Sequence, residues 1–231
     1  MALAPGIGET GAAPVVRAFD VRRLGRVEYG AALELQAKLV EERRCGDIGD
    51  SILLLEHPPV ITLGVKTKGK STNIVVSPEA LAAEGVAVFE TGRGGDITYH
   101  GPGQLVGYPI LDLRPDRCDV HKYVRDLEEV LILAIREFGI EGGRVAGLTG
   151  VWVGAPGREE KIAAIGVRIS RWITSHGFAL NVATDLRHFR LIVPCGIADR
   201  GVTSIERVLG SPVPMRDVED AVVRGFKAVF K

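Results

Sequence analysis

Net charge is missing from this chain: 29 Lys and Arg offset 29 Asp and Glu. No overall field therefore draws the protein to nucleic acid or to an anionic membrane. Long apolar runs are also missing. None approaches the ~20 residues of a membrane-spanning helix, and the opening MALAPGIGETGAAP has neither the basic start nor the apolar core of a secretory signal. Residues 1–14 read as a disordered tail, and 15–231 as a single catalytic domain. Cysteine is scarce: Cys45, Cys118 and Cys195 stand far apart. That spacing fits neither a disulfide framework nor a paired-cysteine metal site, and a cytoplasmic location is expected. Walker and strand–GxGxxG–helix motifs are absent, so nucleotide binding has no positive support.

Glycine, by contrast, is abundant: 29 of 231 residues, about 13% against a typical ~7%. It concentrates in RGGDITYHGPGQLVGYPI, residues 93–110, with five glycines and two prolines. Glycine weakens a strand because it brings no side chain to pack, yet ITYH and QLVGYPI read as strands. Something other than protein is expected to lie against this backbone.

Hydrophobic periodicity predicts strands over VVRAF (15–19), SILLLE (51–56), VITLG (60–64), VAVFE (86–90) and VWV (151–153). KIAAIGVRIS (161–170) and ITSHGFALNV (173–182) read as a hairpin. Helices are expected over 27–45, with apolar residues Val27, Ala31, Leu35 and Leu39; over 77–85, opened by Ser77-Pro78-Glu79; and over 119–138, capped by Asp119. Two more are expected near 203–209 and 215–230. The pattern is α+β, with strands in hairpins and helices on one side of them or at the ends.

Strict alternation puts Lys161, Ala163 and Ile165 on one face of the first hairpin strand and Ala164 and Gly166 on the other. With Gly177 and Ala179 of the second strand, Ala164 and Gly166 offer a run of tiny side chains. Beside Gly94, Gly95, Gly101 and Gly103 these would form a trough for an elongated ligand. The alternative is close packing against another element. A lysine entering an apolar face is unusual, because burying an ammonium is costly unless it is paired or loses its proton; otherwise it snorkels to water. Cys195, between Pro194 and Gly196, has the mount of an accessible thiol, or is an inert buried one. A nearby cation such as Lys161 would lower its pKa. His100 and His176 are candidates for ligand contact or proton transfer. Arg93 could meet a carbonyl or phosphate, and His57 is a structural residue or a lining one.

Read in order, EHPPVITLG, RGGDITYHGPGQLVGYPI, KIAAIGVRIS, TSHGFALNV and VPCGI resemble the lipoyl(octanoyl) transferases of lipoate biosynthesis, from about residue 15 to the end. The resemblance implies the fold of the biotin/lipoyl protein ligases, a mixed β-sheet flanked by helices. It implies transfer of an octanoyl group from octanoyl-acyl carrier protein to a lysine on lipoyl domains of 2-oxoacid dehydrogenase complexes and on the glycine cleavage H protein. Cys195 would carry the acyl group as a thioester and Lys161 would hold its pKa down and accept the acceptor's proton, with His100 the second candidate base. Arg93, Gly94, Gly95, Asp96, Ile97, Thr98, Tyr99, His100, Ala164, Ile165, Gly166, Gly177, Phe178 and Ala179 would surround the acyl chain, with His57 and His176 as further candidates.

No cofactor or metal is expected, since exchange between thioesters is nearly balanced in energy. A monomer suffices, with no nucleic-acid or membrane partner. Acidic protein partners would meet a basic rim, for which Arg168, Arg171, Arg22, Arg23 and Arg26 are candidates. An ATP-dependent ligase of the same fold, a non-catalytic acyl- or lipoyl-domain-binding protein, and a cysteine thioesterase are the alternatives.

Overall fold

In the computed structural model, residues 17–67, 73–193 and 200–231 are described. A seven-stranded sheet holds β1 (Asp20–Arg26), β2 (Ser51–Glu56), β6 (Gln104–Ile110), β10 (Ile173–Asn181), β9 (Glu160–Ser170), β8 (Leu148–Val153) and β7 (Gly142–Val145), in that spatial order. The β1–β2 pair is parallel and every other neighbour antiparallel. A smaller sheet has the order β4 (Ala87–Glu90), β3 (Val60–Leu63), β5 (Ile97–His100), parallel on one side of β3 and antiparallel on the other.

The run SILLLE forms β2 because both of its faces are covered. Ile52 and Leu54 point into one core, Leu53 and Leu55 into another, as the two-residue period of a strand requires. The first core lies under α3 (Val120–Arg136) and α5 (Met215–Val229), with α4 (Ile205–Leu209) at its edge. The second lies under α1 (Tyr29–Cys45). Helices therefore cover both faces of the large sheet, not one. A third core joins the small sheet to α2 (Pro78–Ala83).

Local signals behave as expected at two helix starts. Ser77 Oγ accepts from Ala80 N–H at 3.3 Å, and Asp119 Oδ1 from Lys122 N–H at 3.0 Å, each satisfying a donor the helix cannot. Two expectations need correction, and one strand was not foreseen. The first strand is Asp20–Arg26, later than VVRAF; among the described residues it is an edge strand paired with β2 alone, so its own apolar content is low. Val15 and Val16 lie outside the described residues. α1 buries Tyr29, Ala32, Gln36 and Leu39, one step round from the expected stripe, because Gln36 is needed inside: its Oε1 accepts the His176 N–H at 2.8 Å. Strand β7 carries two glycines and gives no apolar pattern. The β9–β10 hairpin turns through Arg171 and Trp172, whose φ values of 51° and 69° are left-handed, as a two-residue hairpin turn demands.

Candidate active site

The site begins with an irregularity. Val153 faces Glu160 and Trp152 faces Lys161, but Val151 faces Ala163. Ile162 is thus an extra residue on β9, a β-bulge, which re-aims the side chains beside it. Strict alternation would have kept Lys161 with Ala163. Instead Ile162 and Ala163 are both buried in the core, and Lys161 lines the same cavity as Ala164 and Gly166.

The lysine stem passes over Gly150, where a Cβ would stand 3.4 Å from Lys161 Cε and 2.5 Å from the Ala163 carbonyl oxygen. Gly150 also has a φ of 119°, which a side chain rarely permits. Its N–H donates to Oε1 of the fully buried Glu128 at 3.0 Å. The Lys161 main chain is held on its far side: its N–H donates to Gly201 O at 2.9 Å and its carbonyl accepts from Thr203 N–H at 3.0 Å. Lys161 Nζ lies 4.6 Å from the Trp152 ring centroid. The two carboxylates that precede it in sequence are taken, Glu159 by Arg200 and Glu160 by Arg207. Burial pushes the Lys161 pKa down to about 8, as desolvation of an ammonium does.

From Lys161 a cavity of about 1040 Å³ runs between the two sheets. The hairpin register makes its floor: Gly166 pairs with Gly177, and Ala164 with Ala179. Arg93, Gly94, Gly95, Asp96, Ile97, Thr98 and His100 line it from the glycine-rich segment, and Ile165, Phe178 and His176 from the hairpin. Tyr99 does not line it. Alternation along β5 turns that ring into the third core, stacked on His188 with centroids 4.9 Å apart. His57 lies behind the lining, fully buried. Cys195 lies outside the described residues.

Several glycines answer to protein rather than to a ligand. A Cβ at Gly101 would overlap the Tyr99 hydroxyl, one at Gly107 the Phe178 ring and one at Gly177 the Gly107 carbonyl; one at Gly103 would come within 2.6 Å of Ala183. At Gly101 and Gly103 close packing therefore replaces the expected trough wall. Gly166 serves both ends: it lines the cavity, and its Cβ would stand 2.9 Å from Gly94 O.

The inner end is polar and ordered by one chain of hydrogen bonds. Arg93, buried and without an ion pair among the described residues, donates from Nε and Nη2 to Thr62 Oγ1 at 3.2 and 2.8 Å, and from Nη2 to Thr62 O at 2.7 Å. Burial lowers its pKa. The Thr62 hydroxyl stands 3.5 Å from His100 Nε2, and His100 Nδ1 stands 2.7 Å from Gln104 Oε1. Gln104 Nε2 donates to Tyr99 O at 3.3 Å and to Asn181 Oδ1 at 2.9 Å; Asn181 Nδ2 donates to Thr203 O at 2.9 Å. Carbonyls only accept, so both amides are oriented and His100 Nδ1 must carry the hydrogen. Burial, foremost, pushes the His100 pKa down to about 3, and both ring nitrogens are engaged.

His57 Nδ1 donates to Val27 O at 2.7 Å, which leaves Nε2 as an acceptor. His176 sits in left-handed backbone at φ 55°, and burial pushes its pKa down to about 4. Thr62, Gln104, Asn181, Gly150 and Trp152 were not singled out from sequence. For Gln104 and Asn181 a signal existed: each is a polar residue at a buried strand position, where a partner is obligatory.

The expected basic rim is differently composed. Arg22 is bound to Asp20, and Arg23 to Glu219 and Asp220. The arginine and lysine side chains at the cavity are Lys66, Arg187, Arg190, Arg200 and Arg207, with Arg93 and Lys161 inside. Among the described residues no group of three or more His, Cys, Asp and Glu could hold a metal ion. No helix among them is long and apolar enough to cross a membrane.

Residues 28–227 match the lipoyl protein ligase A/B catalytic domain. The chain belongs to that family. Among lipoyl protein ligase A/B proteins it is 56% identical to an octanoyltransferase of Acidobacterium capsulatum over 223 residues, covering 92% of this chain and 90% of that one. It is also 56% identical to an octanoyltransferase of Myxococcus xanthus over 214 residues, covering 92% of this chain but 59% of the relative's length. The fold matches a bipartite lipoate protein ligase of Thermoplasma acidophilum, with a TM-score of 0.66, 18% identity, and coverage of 92% and 84%. The mixed sheet flanked by helices is thus the family fold.

Proposed function

We propose that this acyltransferase moves an octanoyl group from octanoyl-acyl carrier protein to a lysine of lipoyl domains, those of 2-oxoacid dehydrogenase complexes and the glycine cleavage H protein, in the cytoplasm. One observation carries the reading: a half-buried lysine amine, free of any carboxylate partner among the described residues, opens onto a cavity floored by four glycines and alanines. The octanoyltransferase relatives support it. Cys195 is the proposed acyl carrier. Its nearest described neighbours along the chain, Val193 and Arg200, both line the cavity.

In the first half-reaction the Cys195 thiol gives its proton to Lys161, and the thiolate attacks the donor thioester. The carrier's thiol leaves with the Lys161 proton, and octanoyl stays on sulfur. In the second, the neutral acceptor amine attacks the acyl-enzyme. Its surplus proton passes to Lys161, the C–S bond breaks, and the thiolate–ammonium pair is restored. A group needed in both protonation states works best with a pKa near the operating pH, and an amine at about 8 meets that condition. His100 is a poor base by comparison, since both nitrogens are committed.

Intact mass after mixing with octanoyl-acyl carrier protein tests the scheme. Wild type gains one octanoyl group, Cys195→Ala gains none, and lipoyl domain discharges the adduct. Lipoyl-domain modification that instead requires ATP and free octanoate would transfer the protein to the ligases. Hydrolysis that acceptor domain does not suppress would make it a thioesterase.

A further inference from the structure

The thiolate–ammonium pair of the proton cycle proposed above needs Lys161 as an ammonium, yet the surroundings work against that charge. The side chain passes over Gly150 and lines the cavity, where its ammonium is largely desolvated. The carboxylates of the flanking described segments are otherwise engaged. On the flanking segments Glu159 is bound by Arg200 and Glu160 by Arg207. Behind Gly150, Glu128 is held by Arg125 at 2.6 Å and Arg144 at 2.9 Å. What faces the Nζ directly is the ring of Trp152, 4.6 Å from its centroid.

That contact is built rather than incidental. Trp152 and Lys161 are cross-strand partners in register, immediately beside the bulge that turns the lysine toward the cavity. The indole is 2% exposed and its N–H finds no hydrogen-bond partner among the described residues. A buried tryptophan usually satisfies that N–H, so its hydrogen bonding does not account for its presence. Its face does: the negative face of the ring attracts a cation and is indifferent to a neutral amine. Arg200, 5.8 Å from the same centroid, is a second and more distant cation over the ring, already neutralised by Glu159.

We infer that Trp152 is a positioning residue for Lys161, its ring face holding the ammonium form at the cavity and so setting which half-reaction the lysine is ready for. Removing the face favours the neutral amine. Acyl-enzyme formation, which needs the thiolate–ammonium pair, would slow near neutral pH, while discharge to the acceptor, which needs a neutral base, would not. The split rests on the proposed two-step reading; the effect on the lysine does not.

The test reads the lysine directly. Wild type, Trp152→Leu and Trp152→Phe are labelled with acetic anhydride across pH 6–11, and acetylation of Lys161 is followed by peptide mass spectrometry. With the leucine variant the Lys161 titration should move down by about one pH unit, and phenylalanine, which keeps an aromatic face, should restore most of the shift. Titrations that coincide in all three proteins would overturn the inference. Should Trp152→Leu fail to fold, fluorinated tryptophans incorporated at Trp152 and Trp172 weaken the ring face while keeping its shape. The Lys161 titration must then fall with each added fluorine, and an unmoved one overturns the inference equally. A wild type without transferase activity whose Lys161 still follows the ring would reject the acyl-transfer reading and leave this one standing.

Discussion

The hydroxyl of Tyr108, a residue of the cavity lining, donates to Nε2 of the fully buried His57 across 2.8 Å. The direction follows from the other side of the ring, where Nδ1 must donate to the Val27 carbonyl. Burial raises the Tyr108 pKa well above its usual value, so the hydroxyl keeps the proton it gives. Tyr108→Phe leaves a buried imidazole nitrogen without its donor. The expected loss is about 1–3 kcal/mol of stability, read as a lower urea midpoint at an unchanged m-value; a midpoint equal to wild type would contradict this account.

Three buried histidines make the fold acid-sensitive. Burial pushes His57 and His176 down to about 4 and His100 to about 3, against 6.5 in the unfolded chain. Below pH 6.5 the unfolded state therefore binds protons that the folded state refuses. The stability these groups confer is complete above pH 6.5 and is lost as pH falls through about 4, by up to about 1.4 kcal/mol per pH unit per histidine. Urea unfolding should show a marked loss between pH 7 and 5. A flat profile across that window would refute it.

Glu128 supports the lysine from behind. Glu128→Ala orphans the buried Gly150 N–H and removes a carboxylate shared by two arginines. About 3 kcal/mol is expected, less than the largest values because Arg125 and Arg144 can turn to water. Glu128→Gln keeps an oxygen for Gly150 and should lose under half as much. Equal losses in the two variants would show that the Gly150 contact contributes nothing.

Gln104 and Asn181 should be strongly coupled. Either leucine substitution leaves its partner's buried amide unsatisfied, at about 1–3 kcal/mol. The double substitution removes both members of the 2.9 Å bond, so its effect should fall short of the sum by about 1 kcal/mol or more. Strict additivity in a double-mutant cycle would mean the bond is not made.

Ala164→Leu places a branched side chain on the cavity floor, opposite Ala179. Octanoyl transfer should fall while butyryl transfer survives, shifting the ratio of kcat/KM values roughly tenfold or more. An unchanged ratio would put the acyl chain elsewhere.

Much of this was legible in the sequence where local chemistry decides it. Ser77 and Asp119 cap the helices they begin, and the alternation of β10 puts Gly177 and Ala179 on one face because no bulge interrupts it. Lys161 was picked out for the cost of burying its charge, and it is half-buried with its pKa pushed down. Its direction was misread, because one extra residue at Ile162 reverses alternation and no local pattern announces a bulge. Gln36 was hidden for a similar reason: the atom that needs it, the His176 N–H, lies 140 residues away. Tyr99 was counted with its neighbours in the motif, although the strand period sends it to the opposite side.

The chain of bonds from Arg93 to Thr203 has both ends pinned. Arg93 can only give hydrogens and the Thr203 carbonyl can only take them, so every group between them points one way. Water wires conduct protons by turning round after each passage, and this series cannot turn. It acts as an insulator. In the proposed proton cycle, protons handled by Lys161 would have no path along it, and His100, the imidazole within it, would stay neutral.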